Sequence, residues 1–182
     1  MQLDSNYSLV NQNYSKKSTI NGVEIIPLRT FPEEGGLFCE NLRIQENGQI
    51  SYWNALGEQK ILEKFILRQI NSSVLRPETI KAWHIHKLQT DVWMVPPGGG
   101  HLFVGLWDLR EDSPTHKIFM RIYLGEYHIA LLRIPPGVAH GARALENNSA
   151  LLTYFIDQHF NPEDEFRLSW DALAFNWDIE NG

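Results

Sequence analysis

Residues 81–100, KAWHIHKLQTDVWMVPPGGG, carry the densest chemistry in the chain. His84 and His86 stand two apart in an apolar run. Asp91 follows five beyond, and Pro96 to Gly100 close the segment. On a strand, positions i and i+2 share a face, so both imidazoles point the same way. On a continuous strand the odd offset would send Asp91 to the other face. If Lys87–Thr90 turn the chain, Asp91 opens the partner strand and meets the histidine pair. Taken alone, such a pair is equally a strand end satisfied by hydrogen bonds.

The flanks read as more strands. FILRQINSSVL (65–75) alternates, with Phe65, Leu67 and Gln69 on one side and Ile66, Arg68 and Ile70 on the other. HLFVGLWDLR, KIFMRIYLG, HIALLRIPPG and ALLTYFIDQHF follow at short spacing, rich in β-branched and aromatic residues and punctuated by Gly, Pro, Asn or Asp. ILEKFILRQ and DEFRLSWDALAF compete as short flanking helical segments. Many short strands joined by turns indicate an all-β sandwich or barrel, with a ligand held in its mouth.

Composition bounds the partners. The 182 residues suit one domain, and a net charge of −6 leaves no cation surplus for nucleic acid. Cys39 is the only cysteine, so no intrachain disulfide can form. Residues 1–20, rich in Asn, Ser, Tyr and Lys, read as an N-terminal arm, and residues 21–182 as a single barrel domain. The N-terminus carries no apolar signal core and no run is long enough to span a membrane, so a cytoplasmic protein is expected.

The histidine segment resembles the first motif of cupin barrels: His84, His86, four residues, Asp91, six residues, Gly98. Pro135, Gly137 and His140 resemble the second. Asp91 stands where the motif has Glu, and Glu78 where it usually has Gly. The resemblance implies a jelly-roll β-barrel. If it is metal-binding, His84, His86, Asp91 and His140 would hold a divalent transition metal such as Zn, Fe, Mn, Ni or Cu.

A second resemblance spans roughly residues 30–177. FPEEGGLFCE, QINSSVLRPETIKAWH, WDLREDSPT, IPPGVAHG, YFIDQHFNPEDE and the closing W and FNW are similar, in order, to segments of the dTDP-4-dehydrorhamnose 3,5-epimerase family, itself a cupin-type barrel. That family inverts carbons beside a 4-keto group of a nucleotide sugar without a cofactor. The resemblance implies His84 as base and Tyr154 as acid, with Glu40, Gln69, Asn71, Lys81 and His140 binding substrate. It also implies a homodimer paired through edge strands.

Several family positions differ. The phosphate-binding arginine falls on Gly35, the arginine before the base is Lys81, and the lysine of the next strand falls near Trp93. The aspartate that orients the base has no matched counterpart. The expected function is therefore a divergent sugar-nucleotide epimerase. The alternatives are a metal-dependent cupin of another reaction class and a non-catalytic sugar-nucleotide-binding barrel. Metal and base compete for His84, because a liganded imidazole cannot also take a proton. Asp108 and Arg110 in WDLREDSPT read as turn-holding residues.

Overall fold

A computed structural model of the protein describes residues 19–145 and 148–178. The expected N-terminal arm lies almost wholly outside the described residues. Strands run Glu24–Pro27 (β1), Thr30–Glu33 (β2), Gly36–Cys39 (β3), Arg43–Ile44 (β4), Gln49–Trp53 (β5), Gln59–Ile66 (β6) and Gln69–Leu75 (β7). They continue as Ile80–Ile85 (β8), Asp91–Met94 (β9), His101–Asp108 (β10), Phe119–Gly125 (β11), Ala130–Ile134 (β12), Val138–Ala144 (β13), Ala150–Ile156 (β14) and Phe166–Arg167 (β15).

Two five-stranded antiparallel sheets face one another in the jelly-roll manner, in the orders β1-β12-β9-β14-β7 and β11-β10-β13-β8-β15. Period-two alternation fills the space between them: Trp93, Leu132 and Leu152 from the first sheet meet Leu102, Val104, Leu106 and Ile122 from the second. The outer face of the first sheet is covered too. Val92, Met94, Leu131 and Phe155 pack on Ile50, Leu62 and Phe65 of the small β4-β5-β6 sheet. This is why every residue of β9 is buried.

The long alternating run at 65–75 is not one strand. β6 and β7 belong to different sheets, and the chain breaks at Leu67–Arg68, where Leu67 N–H bonds to the Gly48 carbonyl and Arg68 N–H to that of Ile156. Neither expected helix forms. ILEKFILRQ is strand on both sides of that break, and among the described residues the only helical element is a 3-10 turn at Pro162–Asp164. No helix of the described residues is long and apolar enough to cross a membrane.

The C-terminal segment instead forms the short β15 and then runs through turns and bends over the outer face of the second sheet. Phe175 and Trp177 close on Trp83 at ring separations of 5.1 and 4.9 Å, and Trp83 is fully buried. Trp83 and Trp177 both donate their indole N–H to the Trp170 carbonyl. Trp83→Ala is expected to cost about 3–5 kcal/mol through the cavity it leaves. A urea unfolding midpoint checks this, and a loss below about 1 kcal/mol would mean that the segment does not depend on this contact.

The turn after β10 is held as expected. Buried Asp108 accepts from Arg110 Nε at 2.8 Å, Ser113 Oγ at 2.6 Å and Thr115 Oγ1 at 2.7 Å. Burial alone would raise its pKa, but these bonds hold the carboxyl well below the usual range. Glu78, at the motif position usually glycine, has φ of +58°, the left-handed conformation glycine adopts without penalty. Its carboxylate pairs with Arg143.

Candidate active site

One cavity of ≈ 400 Å³ opens between the two sheets. Strand register decides what faces it. In the second sheet His140, His84 and Arg167 stand side by side across β13, β8 and β15. In the first, Trp93, Tyr154 and Asn71 form a row across β9, β14 and β7, and Asp91, Ile156 and Gln69 form the next. All of these line the cavity. Gly141, just after His140, makes the close β13–β8 approach possible, since a Cβ there would collide with that of Ala82.

His84 and His86 both line the cavity, as their spacing predicts. Asp91 meets them differently from the simple expectation. Lys87–Thr90 do not turn the chain back onto β8. They carry it across to the facing sheet, where Asp91 begins β9. The crossing is anchored by buried Asp164, whose carboxylate accepts from the amides of Lys87 (2.8 Å), Leu88 (3.1 Å) and Gln89 (3.1 Å). The carbonyl of His86 accepts from Gly137 N–H at 2.7 Å, which ties the crossing to the Pro-Pro-Gly turn.

The electrostatics follow from burial. Burial pushes the pKa of His84 down to about 4, helped by His140, Arg167 and Lys81 and opposed by Glu165. His84 is therefore a neutral imidazole at physiological pH. Its Nδ1 faces Glu165 Oε1 at 3.6 Å. That is longer than a hydrogen bond, but it favours the tautomer that leaves Nε2 unprotonated. Glu165 is kept ionised by Arg167, 2.6 Å away. Burial, with Asp91 and Glu165 nearby, raises the pKa of the Tyr154 phenol and keeps it a proton donor.

Asp91 is enclosed. Burial alone would raise its pKa, yet the His140, His86 and Gln89 contacts bring it below the usual value. Gln89 Nε2 donates to Asp91 Oδ1 at 2.6 Å, and His140 Nε2 stands 3.1 Å from Oδ2. Lys81 reaches across to Ser73 Oγ at 3.1 Å, and Gln69 donates to Asn71 Oδ1 at 2.8 Å.

Of the residues singled out from the sequence, the fold brings His84, His86, Gln69, Asn71, Lys81, Asp91, His140 and Tyr154 to this one cavity. Glu40 is not brought there. It pairs with Arg43 at 2.7 Å beside Arg29, Phe31 and Phe38, in a separate depression. The four-member ligand set also divides: His86, Asp91 and His140 converge, with ligand atoms within 4.8 Å of one another, and His84 stands apart. Glu165 and Arg167 were missed by sequence reasoning. They sit in a polar stretch with no local signal, and only the β15–β8 pairing brings them to the mouth.

Comparison with known proteins agrees with this geometry. The sequence model of the family described as dTDP-4-dehydrorhamnose 3,5-epimerase matches residues 17–181. The chain is 38% identical over 165 residues to the spore coat polysaccharide biosynthesis protein SpsL of Bacillus subtilis, covering 88% of this chain and 98% of that one. It is 32% identical over 113 residues to Agl13 of Haloferax volcanii, a probable low-salt glycan biosynthesis epimerase, covering 59% of this chain and 71% of that one. Among solved structures, a dTDP sugar isomerase from Desulfovibrio desulfuricans superposes with a TM-score of 0.71 at 30% identity, covering 87% of this chain and 92% of that one. A match that spans nearly the whole barrel, cavity included, makes this chain a member of the dTDP-4-dehydrorhamnose 3,5-epimerase family.

Proposed function

We propose that the cavity epimerises a nucleotide-linked 4-keto sugar at carbon next to the ketone, with His84 as base and Tyr154 as acid. The observation that carries this reading is that the two side chains project from facing sheets into one cavity. Inversion needs a proton taken from one face of the ring and another returned to the opposite face. His84 Nε2 takes the C–H proton, and the C–H electron pair becomes the enolate π bond while the former carbonyl π pair moves onto oxygen. On return, the enolate carbon takes the Tyr154 proton, the carbonyl re-forms, and exchange with solvent reprotonates the phenolate and removes the proton held on His84. Substrate and product hold the same electrons, so no redox cofactor is needed.

Gln69 and Asn71 line the sugar side of the site. Lys81 and Arg167 supply the positive charge that a diphosphate requires, in place of the arginines absent at Gly35 and at position 81. The product class, by analogy with the spore-coat and glycan relatives, is a nucleotide sugar destined for polysaccharide assembly in the cytoplasm. The active species is a homodimer. In its favour, edge strand β7 exposes Ile70 and Val74, and the β2–β3 hairpin exposes Phe31, Leu37 and Phe38. In such a dimer the hairpin would bring Glu40 to the partner's cavity, which would account for its distance from its own.

The test is solvent exchange. Incubated in D₂O with a dTDP-4-keto-6-deoxyhexose, the protein is expected to place deuterium at carbon beside the ketone and to invert it. Tyr154→Phe is expected to slow inversion by about 10²–10⁴. A wild-type protein that binds the nucleotide sugar but leaves it free of deuterium is a binding barrel, and the proposal fails.

A further inference from the structure

The cluster behind His84 gathers three potential metal-ligand atoms. His140 Nδ1 lies 2.9 Å from the Val138 carbonyl, and His86 Nδ1 lies 2.7 Å from the Asp164 carbonyl. A carbonyl oxygen only accepts, so each Nδ1 carries a hydrogen, and Nε2 is the ring atom left to hold a proton or a metal ion. Both Nε2 atoms point at one oxygen, Asp91 Oδ2, at 3.1 Å from His140 and 4.0 Å from His86. That oxygen belongs to a buried carboxylate whose other oxygen is already occupied by Gln89. Three potential ligand atoms thus converge in a buried site, and a cation among them, either a proton on an Nε2 or a metal ion, satisfies the arrangement.

We infer that His86, Asp91 and His140 bind a divalent transition-metal ion at the floor of the cavity. A backbone carbonyl on the far nitrogen of each histidine is the usual way of fixing a metal-binding tautomer and ring orientation. Two imidazoles and one carboxylate suit zinc, iron(II), manganese, nickel or cobalt, with positions left for water or substrate. Donor atoms about 2.1 Å from one metal stand about 3.0–3.4 Å apart. The His140–Asp91 pair, at 3.1 Å, already meets this, and His86, 4.0 Å from Asp91, has to close by at least about 0.6 Å. Trp93 walls the site, its ring edge-on to His140 at 5.1 Å.

The fold also removes the competition for His84 seen in the sequence. His84 Nδ1 faces Glu165, so its ring stays outside the ligand set and free to act as base. Trp93 stands where the family's lysine falls, and loss of one such oxyanion partner typically costs about 10²–10³ in rate. A metal facing the same cavity would supply that missing charge to the enolate oxygen. This last role rests on the epimerase reading, whereas the binding site itself does not.

The experiment is a cobalt(II) titration of protein purified without tag metal and stripped with chelator, followed by visible d–d absorption, with elemental analysis of the protein as isolated. One equivalent per chain is expected. His86→Ala and Asp91→Asn are each expected to weaken binding at least about 100-fold. His128→Ala, outside the cavity, leaves it unchanged. Should either cluster variant fail to fold by circular dichroism, His86→Gln replaces it. A wild-type protein that takes up no cobalt overturns the site, as does uptake that survives the cluster variants. The two readings separate cleanly. Stoichiometric metal without deuterium exchange keeps the site and removes the epimerase. Full exchange in metal-free protein keeps the epimerase and removes the metal's part in it, leaving the cobalt titration to decide the site.

Discussion

His84→Asn is expected to lower solvent exchange and inversion by about 10²–10⁴ while leaving dTDP binding within a few-fold of wild type. Asparagine roughly preserves the bulk of the half-buried ring and cannot take a proton. The pH profile sharpens the test. The folded pKa of His84, about 4, lies below the ordinary 6.5, so the neutral, base-competent form persists until pH falls through about 4. The acidic limb of kcat/KM is expected there. Glu165 is the one group raising this pKa, so Glu165→Gln is expected to move the limb further down. A wild-type limb near 6.5 would mean that a different, ordinary histidine is the base.

Asp164→Ala is the second large effect. The carboxylate serves three successive amides, and the same residue's carbonyl orients His86. Removing it strands N–H groups at the crossing between sheets, at a cost of about 2–4 kcal/mol. The damage should reach the chemistry, because Lys87–Thr90 determine where Gln89 and Asp91 arrive. We expect a lower unfolding midpoint together with a loss of exchange larger than in Trp83→Ala, which lies on the opposite face of the second sheet. A variant with weakened stability and intact exchange would show that the crossing holds its shape without this carboxylate.

The sequence made some of this legible because the relevant rule is local. A two-residue spacing puts His84 and His86 on one face whatever the sheet, and the Pro-Pro-Gly turn sets His140 a fixed distance on. What local rules cannot encode is the sheet that a strand joins. The alternation in FILRQINSSVL is continuous, yet the chain changes sheets at Leu67–Arg68, where bonds to Gly48 and Ile156 decide the matter. The same limit hid the crossing before Asp91. Residues 164–175 have a helical pattern, but the buried aromatic pocket around Trp83 and Phe103 is filled by Phe175 and Trp177 at the end of a course of turns and bends, and packing outweighs propensity. Glu165 and Arg167 gain their place only through that course.

The last-made piece of the site is also the piece that locks it. Asp164, Glu165 and Arg167 follow every other residue of the cavity in the chain. On the ribosome, a nascent chain ending before Pro162 can pair β7 to β14, yet it lacks the clamp on the crossing, the partner of His84 and a cation at the mouth. Such a fragment holds His84 and Tyr154 on paired strands but lacks the Asp164 and Glu165 contacts around them. The site is therefore completed late in synthesis, when residues 164–167 leave the ribosome and close on strands already made.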